Sequence, residues 1–419
     1  MKFGIFYELQ VPRPWDGESE HRVYREALEQ IELADRLGID YVWEVEHHFL
    51  EEYSHSSAPE VFLAAVSQRT SRIRLGHGIV QLPSRINHPA RVAERIAALD
   101  LVSDGRVEFG TGESTGAVEP PAFGVDLATK RDQWRESLDA ITRMFVEEPF
   151  AGYEGEWFRM EARNVVPKPY QRPHPPLWMA CPRPDVIPLA ARAGIGALCF
   201  SMLIEPEQAR DWVEGYYTLL ESDECVPAGF AVNAQLAVVT ALMCNSDEQT
   251  ALDRGLDGSH FLSYSLLHYY NHGDTHAHGT STLWEDFERD RHGSGFDRRE
   301  FERRMVEDAA GRLAATYDRR DPYAQRGAIG TPAQVREFLR RYEDAGCDQV
   351  ILFSQVGRNR HEDVCESLEL FAREVLPEFA ERDEERSRRK AERLAPVIER
   401  ALARRELPRT LTGGKAAGR

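Results

Sequence analysis

The chain has 419 residues, 42% of them hydrophobic, and carries 70 acidic against 52 basic side chains, a formal charge of −18. That is enough apolar material for one large core, and a net-negative surface repels phosphate backbones, which argues against nucleic acid as a partner. No run of about 18 apolar residues occurs, so no membrane-spanning helix is expected. The opening residues read as a strand, not a secretory leader. Six scattered cysteines without a CxxC pair read as reduced thiols, with neither a disulfide frame nor a zinc site. These readings predict a cytoplasmic protein.

Short apolar runs alternate with amphipathic stretches along the chain. A strand over Lys2–Glu8 leads to a helix over Arg22–Leu37, where Ala27, Ile31, Ala34 and Leu37 form one stripe and Gly38 supplies the stop. Strands over Asp40–Glu46 and Ile73–Leu82 follow, with helices over Pro59–Thr70 and Pro89–Val102, the latter ended by Ser103-Asp104-Gly105. Next come a strand over Arg106–Gly110, a helix over Arg131–Phe145 and a hairpin over Ala151–Ala162. Strands over Pro176–Cys181, Gly196–Ser201 and Gln235–Cys244 alternate with helices over Pro184–Ala193 and Glu205–Leu220. An insertion from about Gly255 to Gly327 then breaks the rhythm. It holds His260, His268, His272, His276 and His278, whose spacing offers no metal-ligand set. Thr331-Pro332 opens the last unit with a capping Thr and a first-turn Pro, ahead of a strand over Gln349–Ser354. From Glu381 the chain is dense in Arg and Glu, which predicts a solvated helix and then a disordered last ten residues. Eight strands in β-α alternation, with no Gly-rich dinucleotide fingerprint after the first, predict a (β/α)₈ TIM barrel of the α/β class over residues 1–380.

In such a barrel, chemistry collects where strands end. The second strand ends in Glu46-His47-His48-Phe49, and a histidine at a strand tip can exchange protons near neutral pH. A histidine pair bonded to backbone in a buried loop is the equal alternative. The third strand holds His77-Gly78 and runs on to Gln81; a glycine inside a strand marks either close approach of a ligand or a layering requirement. The fourth ends in Gly110-Thr111-Gly112-Glu113, where two glycines let a flat ring or a phosphate come close. The fifth runs through Ala180-Cys181-Pro182-Arg183 into a helix start suited to phosphate, with Arg183 as the charge and Cys181 as apolar lining.

Together the opening MKFGIFYE, the EHHF at a strand end, INHPARVAERIAALDLVSDGRVEFG and the late AIGTPAQVREFLRRYEDAGCDQVILF resemble the bacterial luciferase-like flavin-dependent monooxygenases, over about residues 1–380 and in the family's usual order. The resemblance implies a barrel with a lid inserted before the last strand, here 255–327. It implies reduced FMN supplied by a separate flavin reductase, and O2 reacting to give a flavin 4a-hydroperoxide that oxygenates a small organic substrate. His47 matches the active-site histidine, and His77-Gly78 the place of a non-proline cis peptide under the flavin. The cofactor would be held by Gly78, Gln81, Gly112, Ala180, Cys181, Arg183, Phe200 and Ser201. One departure is Glu113, where luciferases carry an arginine for the phosphate; the anchor passes to Arg183. The same GTGE stretch resembles deazaflavin-dependent dehydrogenases of the superfamily, in which the glutamate transfers a proton, so Glu113 joins His47 as a catalytic candidate. Hydride transfer with a deazaflavin, or a non-catalytic flavin-binding subunit, are the alternatives. The family also implies a homodimer, with Val61, Phe62, Ala65 and Val66 as surplus apolar residues on an outer helix. Phe261, Tyr264, Tyr269 and Trp284 in the insertion suggest a partly hydrophobic ligand.

Overall fold

The structure, a computed structural model, describes residues 1–114, 116, 118–200, 206–269, 282–293 and 326–405. Eight parallel strands pair in chain order: β1 (Lys2–Tyr7), β2 (Tyr41–Glu44), β3 (Arg74–His77), β4 (Val107–Gly112), β5 (Leu177–Ala180), β6 (Gly196–Cys199), β7 (Leu236–Cys244) and β8 (Gln349–Phe353). β8 pairs with both β7 and β1, placing Gln349 opposite Ala237 and Lys2, so the sheet closes into the expected TIM barrel. Around it lie α1 (Ser19–Leu37), α2 (Pro59–Ser67), α3 (Pro89–Val102), α4 (Lys130–Val146), α5 (Ile187–Arg192) and α6 (Pro206–Leu220). After β7 come α7 (Glu248–Leu267) and α8 (Leu283–Gly293), then α9 (Pro332–Ala345), α10 (His361–Glu374) and α11 (Leu376–Arg404). The punctuation acts as its chemistry dictates: Gly38 ends α1 with φ +95°, and Thr331 with Gln334 forms a reciprocal capping box on α9.

The lumen is solid. Trp43 and Trp178 meet edge to face at 5.2 Å between ring centroids, and Glu108 accepts from the Trp178 indole N–H at 2.6 Å while pairing with Arg74. Gly76 is the residue that leaves room for the Trp43 ring. A filled barrel leaves ligands only its carboxyl rim.

Two expectations are corrected at β3. The sequence predicts one strand over Ile73–Leu82, but the strand stops at His77 and resumes only at Val80–Gln81. Across this break the His77 carbonyl turns onto β4, where a Cβ on Gly110 would lie 1.8 Å from that oxygen; Ile79 covers Gly112 in the same way. The glycines of GTG therefore admit the neighbouring chain first. Every cis peptide among the described residues precedes a proline, so the cis bond implied at His77-Gly78 is replaced by a trans one.

The charged tail is also corrected. Glu381 lies inside α11, which is packed, not merely solvated: Phe379 sits edge-on to Phe3, Asp383 pairs with the terminal amine at 2.9 Å, and Lys390 pairs with Asp348 at 2.6 Å. Leu394 and Ala401 are buried on the same helix. It covers the end of the barrel where strands begin, opposite the rim. The last ten residues, like Ser201, His272, His276 and His278, lie outside the described residues.

In the insertion, α7 begins upstream of Gly255, at Glu248, capped by Asp247. Phe261, Trp284 and Phe287 form an aromatic cluster with centroids 4.8–5.6 Å apart, so Phe261 and Trp284 are the insertion's own core and not ligand lining. Glu52, from the loop after β2, accepts from the Leu283 and Trp284 amides at 2.8 and 3.1 Å and clasps the start of α8. Gln10, just past β1, donates to Ser265 of α7 at 3.1 Å. The insertion is thus tied to the rim.

Candidate active site

His47 stands one turn of chain past β2 with its ring 12% exposed. Its Nδ1 lies 3.2 Å from Glu119, in the short helical turn Glu119–Ala122 that follows β4. The same Glu119 oxygen accepts from the His48 amide and from Gln81 Nε2, both at 2.8 Å. An oxygen that already accepts from two N–H groups meets Nδ1 as an acceptor as well, so Nδ1 carries a proton and Nε2 is the nitrogen free to exchange one. On that side Glu8, the residue after β1, places Oε2 3.8 Å from Nε2. Glu8 is buried, its other oxygen accepting from the Tyr53 hydroxyl at 2.8 Å. Burial works against the imidazolium, but Glu119 and Glu8 outweigh it and raise the His47 pKa to about 9. Burial pushes Glu8 itself up to about 7.

The neighbouring histidine has another task. His48 Nε2 is 3.1 Å from Glu46, which also accepts from the Gln81 amide at 2.9 Å and Asn87 Nδ2 at 2.7 Å. Glu46 thus fastens the resumed third strand to the second, with His48 as one of its ligands. Phe49, Leu9 and Ser114 adopt positive φ of 67°, 49° and 62° at the ends of β2, β1 and β4. Backbone strain of this kind gathers at sites that over-determine it.

The other candidates fall on the same rim. Gly78 is partly open, its amide donating to Glu44 O at 2.7 Å, and a Cβ there would contact Phe6. Phe200 packs against Phe6 at 5.3 Å, adding an apolar wall. Ala180 ends β5, and Cys181 follows it, buried, with burial pushing its thiol pKa up and away from nucleophilic use. Glu113 is engaged by Arg131, with contacts of 3.0 and 2.9 Å, and does not reach His47's hydrogen-bond shell. Arg183 pairs with Asp185 at 3.0 Å. Lys130 donates to the Ser114 carbonyl at 2.6 Å, its pKa lowered by burial and by the nearby Arg131 and Arg183. Lys130, Arg131 and Arg183 therefore set three cations against two carboxylates.

Sequence reasoning missed Glu8, Glu119, Lys130 and Arg131. Glu8 was legible as chemistry, since alternation puts it on the face of Gly4 and Phe6. The other three lie beyond β4, in a turn and a helix start whose approach to the rim no local pattern announces.

A match to the luciferase-like monooxygenase family covers residues 1–349. The chain belongs to that family. Over 387 residues it is 23% identical to the oxygenase component of the flavin-dependent trigonelline monooxygenase of Acinetobacter baylyi, covering 91% of this chain and 96% of that protein. It is 30% identical over 183 residues to an F420-dependent glucose-6-phosphate dehydrogenase of Amycolatopsis mediterranei, 42% of this chain and 54% of the dehydrogenase. The chain spans about half the length of some curated relatives it matches, 56% of the y4wF protein of Sinorhizobium fredii among them. Its fold superposes on monooxygenase RslO1 of Streptomyces bottropensis with a TM-score of 0.70 and 25% identity, over 90% of this chain and all of that one. The FMN complex of the oxygenating constituent of 3,6-diketocamphane monooxygenase, from Pseudomonas putida, gives 0.63 at 19% identity, over 90% of this chain and 98% of that one. The relatives thus include both flavin-dependent monooxygenases and F420-dependent oxidoreductases.

Proposed function

We propose that the protein is the oxygenase component of a two-component system, using reduced FMN from a separate reductase and O2 to oxygenate a small organic molecule. The observation that carries this reading is His47, held at the rim between two buried carboxylates with Nε2 left to exchange a proton.

The residues present suit a flavin. Gln81 Oε1 and Ser114 Oγ are buried polar atoms without a partner at the rim, where a polar ligand would satisfy them. Phe6, Phe200 and the open Gly78 offer an apolar bed for a flat ring. Lys130, Arg131 and Arg183 would hold the phosphate, with Glu113 and Asp185 keeping the guanidinium groups in place. The bound flavin would supply the oxygen chemistry. His47 would hold or release a proton at Nε2, while Glu119 fixes the ring and its tautomer. The insertion, tied down through Glu52 and Gln10, would exclude water. Exposed Val61 and Ala65 on α2 are the patch proposed for self-association.

Hydride transfer with a deazaflavin is the second reading, favoured by Glu113 at the rim. Its engagement by Arg131 speaks for a charge-balancing role instead. The test is anaerobic titration of the purified protein with reduced FMN and with reduced deazaflavin, followed by admission of oxygen. Tight FMN binding with oxygen consumption supports the oxygenase; tight deazaflavin binding with no consumption supports the rival. Activity of the lone chain with a reductase would dismiss a non-catalytic subunit.

A further inference from the structure

His47 has a second carboxyl partner whose role nothing above assigns. Glu119 takes Nδ1 and is saturated by three donors. Glu8 faces Nε2 with an oxygen that is buried and makes no hydrogen bond. The 3.8 Å separation is about 1 Å longer than a hydrogen bond, a gap closed by a small side-chain rotation and too short to seat a bridging water. Tyr53 and Ser54 fix the residue's other polar atoms, the hydroxyls donating to Oε1 and to the backbone carbonyl at 2.8 Å each. One oxygen is anchored and the other is left pointing at the imidazole.

We propose that Glu8 and His47 hold one exchangeable proton between them, Glu8 Oε2 taking it from or returning it to His47 Nε2, so that Glu8 is the positioning residue that sets whether the rim imidazole stands ready to accept or to donate. Its use in turnover rests on the oxygenase reading; the shared proton does not. The transfer moves one proton from nitrogen to oxygen and conserves charge over the pair. It suits a site shut off from water, where a neighbour can take the proton while Nε2 acts as an acceptor and hand it back when Nε2 acts as a donor.

The groups facing the pair come from several elements. Glu44 and Glu46 lie on or just past β2, Tyr53 and Ser54 in the loop after it, Gln81 on the resumed third strand, Glu119 in its turn, and Tyr269 two residues past α7, 6.3 Å from the Tyr53 ring. Glu44 is buried with neither oxygen hydrogen-bonded, and burial pushes its pKa well above the usual carboxylate range. Among the described residues no lysine or arginine pairs with Glu8 or Glu119; Lys130 acts on Glu119 only through its field, which leaves His47 as the cation set beside both carboxylates. Its proton affinity must then depend on whether Glu8 is ionised, and the two titrate as a pair.

The test is Glu8→Gln, which keeps the acceptor for Tyr53 and removes the charge. Histidine-labelled protein without flavin is followed by NMR across pH, with the His47 signal assigned from its loss in His47→Gln. Wild-type His47 should titrate well above an ordinary histidine, and Glu8→Gln should lower its midpoint by about one unit or more, a tenfold loss of proton affinity. The pH profile of oxygen uptake with reduced FMN should move in the same direction. An unchanged His47 midpoint overturns the shared proton, and a shifted midpoint with an unmoved pH profile overturns the relay. Should Glu8→Gln not fold, Tyr53→Phe removes the donor that favours the Glu8 anion and should lower the His47 midpoint by a smaller amount; no change there overturns the proposal equally. If wild type consumes no oxygen with reduced FMN, the functional reading fails while the NMR titration still decides the shared proton.

Discussion

Gly110 offers a sharp test of how the rim is built. Replacing it with alanine puts a methyl carbon 1.8 Å from the His77 carbonyl oxygen, against a floor of 3.0 Å that real Cβ contacts respect. The oxygen is backbone and the Cβ is fixed by its own backbone, so no rotamer change relieves the clash; β3 and β4 must part where Leu75 faces Val107 and Gly76 faces Glu108. Overpacking costs about 1–3 kcal/mol where neighbours can yield, so the upper end, ~3 kcal/mol, is expected here. With roughly 2 cal/mol/K of unfolding entropy per residue over about 400 residues, that is a fall in melting temperature of ~4 °C. Gly215→Ala is the matched control: nothing lies within 4 Å of its Cβ position in α6, so it should stabilise by up to about 1 kcal/mol through helix propensity. Thermal melting of the three proteins at one scan rate reads both effects. Because the break also positions Gln81 against Glu119, Gly110→Ala should weaken flavin binding as well. A Gly110→Ala protein that melts with wild type would refute the account of the strand break.

Three further outcomes follow from named contacts. Replacing Lys130 and Arg131 together with alanine should weaken binding of FMN by about 10-fold or more, while riboflavin, which lacks the phosphate, binds as to wild type; equal losses for both ligands would place the phosphate elsewhere. Glu52→Ala strips the acceptor from the Leu283 and Trp284 amides, so limited proteolysis should cut near α8 several times faster than in wild type, with barrel fragments unaffected. His77 and His174 are buried with pKa values lowered by burial to about 4, and His174 Nε2 accepts from the Phe230 amide, which demands the neutral ring. The unfolded chain, with ordinary histidines near 6.5, binds more protons in that window, so stability is full above pH 6.5 and lost as pH falls toward 4, by about 3 kcal/mol per histidine. Glu8 and Glu44, held above the usual carboxylate range by burial, titrate with the opposite sign, so the test compares slopes. His174→Gln should lose less stability than wild type as pH falls from 7 to 4.5, and equal slopes would contradict this.

Much of the barrel was written in local chemistry. Parallel strands buried on both faces read as short apolar runs, and caps such as Gly38 and Thr331 mark helix ends by their own conformational needs. The break in the third strand was not legible, because its cause, the His77 carbonyl against Gly110, joins residues of two strands. The packing of α11 was hidden for a related reason: a dense run of Arg and Glu masks Phe379, Leu394 and Ala401 spaced along one face. In the site, His47 stood out as a strand-end residue. Its carboxylate partners come from just past β1 and from a turn some seventy residues on, and only the gathering of strand ends at one rim brings them to the same imidazole.

The claim at the centre of this account is that the carboxyl rim binds a reduced flavin and that His47 handles a proton there. Stopped-flow oxygen mixing of wild type and His47→Ala, each preloaded with reduced FMN, tests it most directly. The account predicts that the variant retains the flavin with similar affinity but reacts with a rate altered by about 10²-fold or more and loses the pH dependence of wild type. Matching rates and matching pH profiles in the two proteins, or no flavin bound by either, would contradict it.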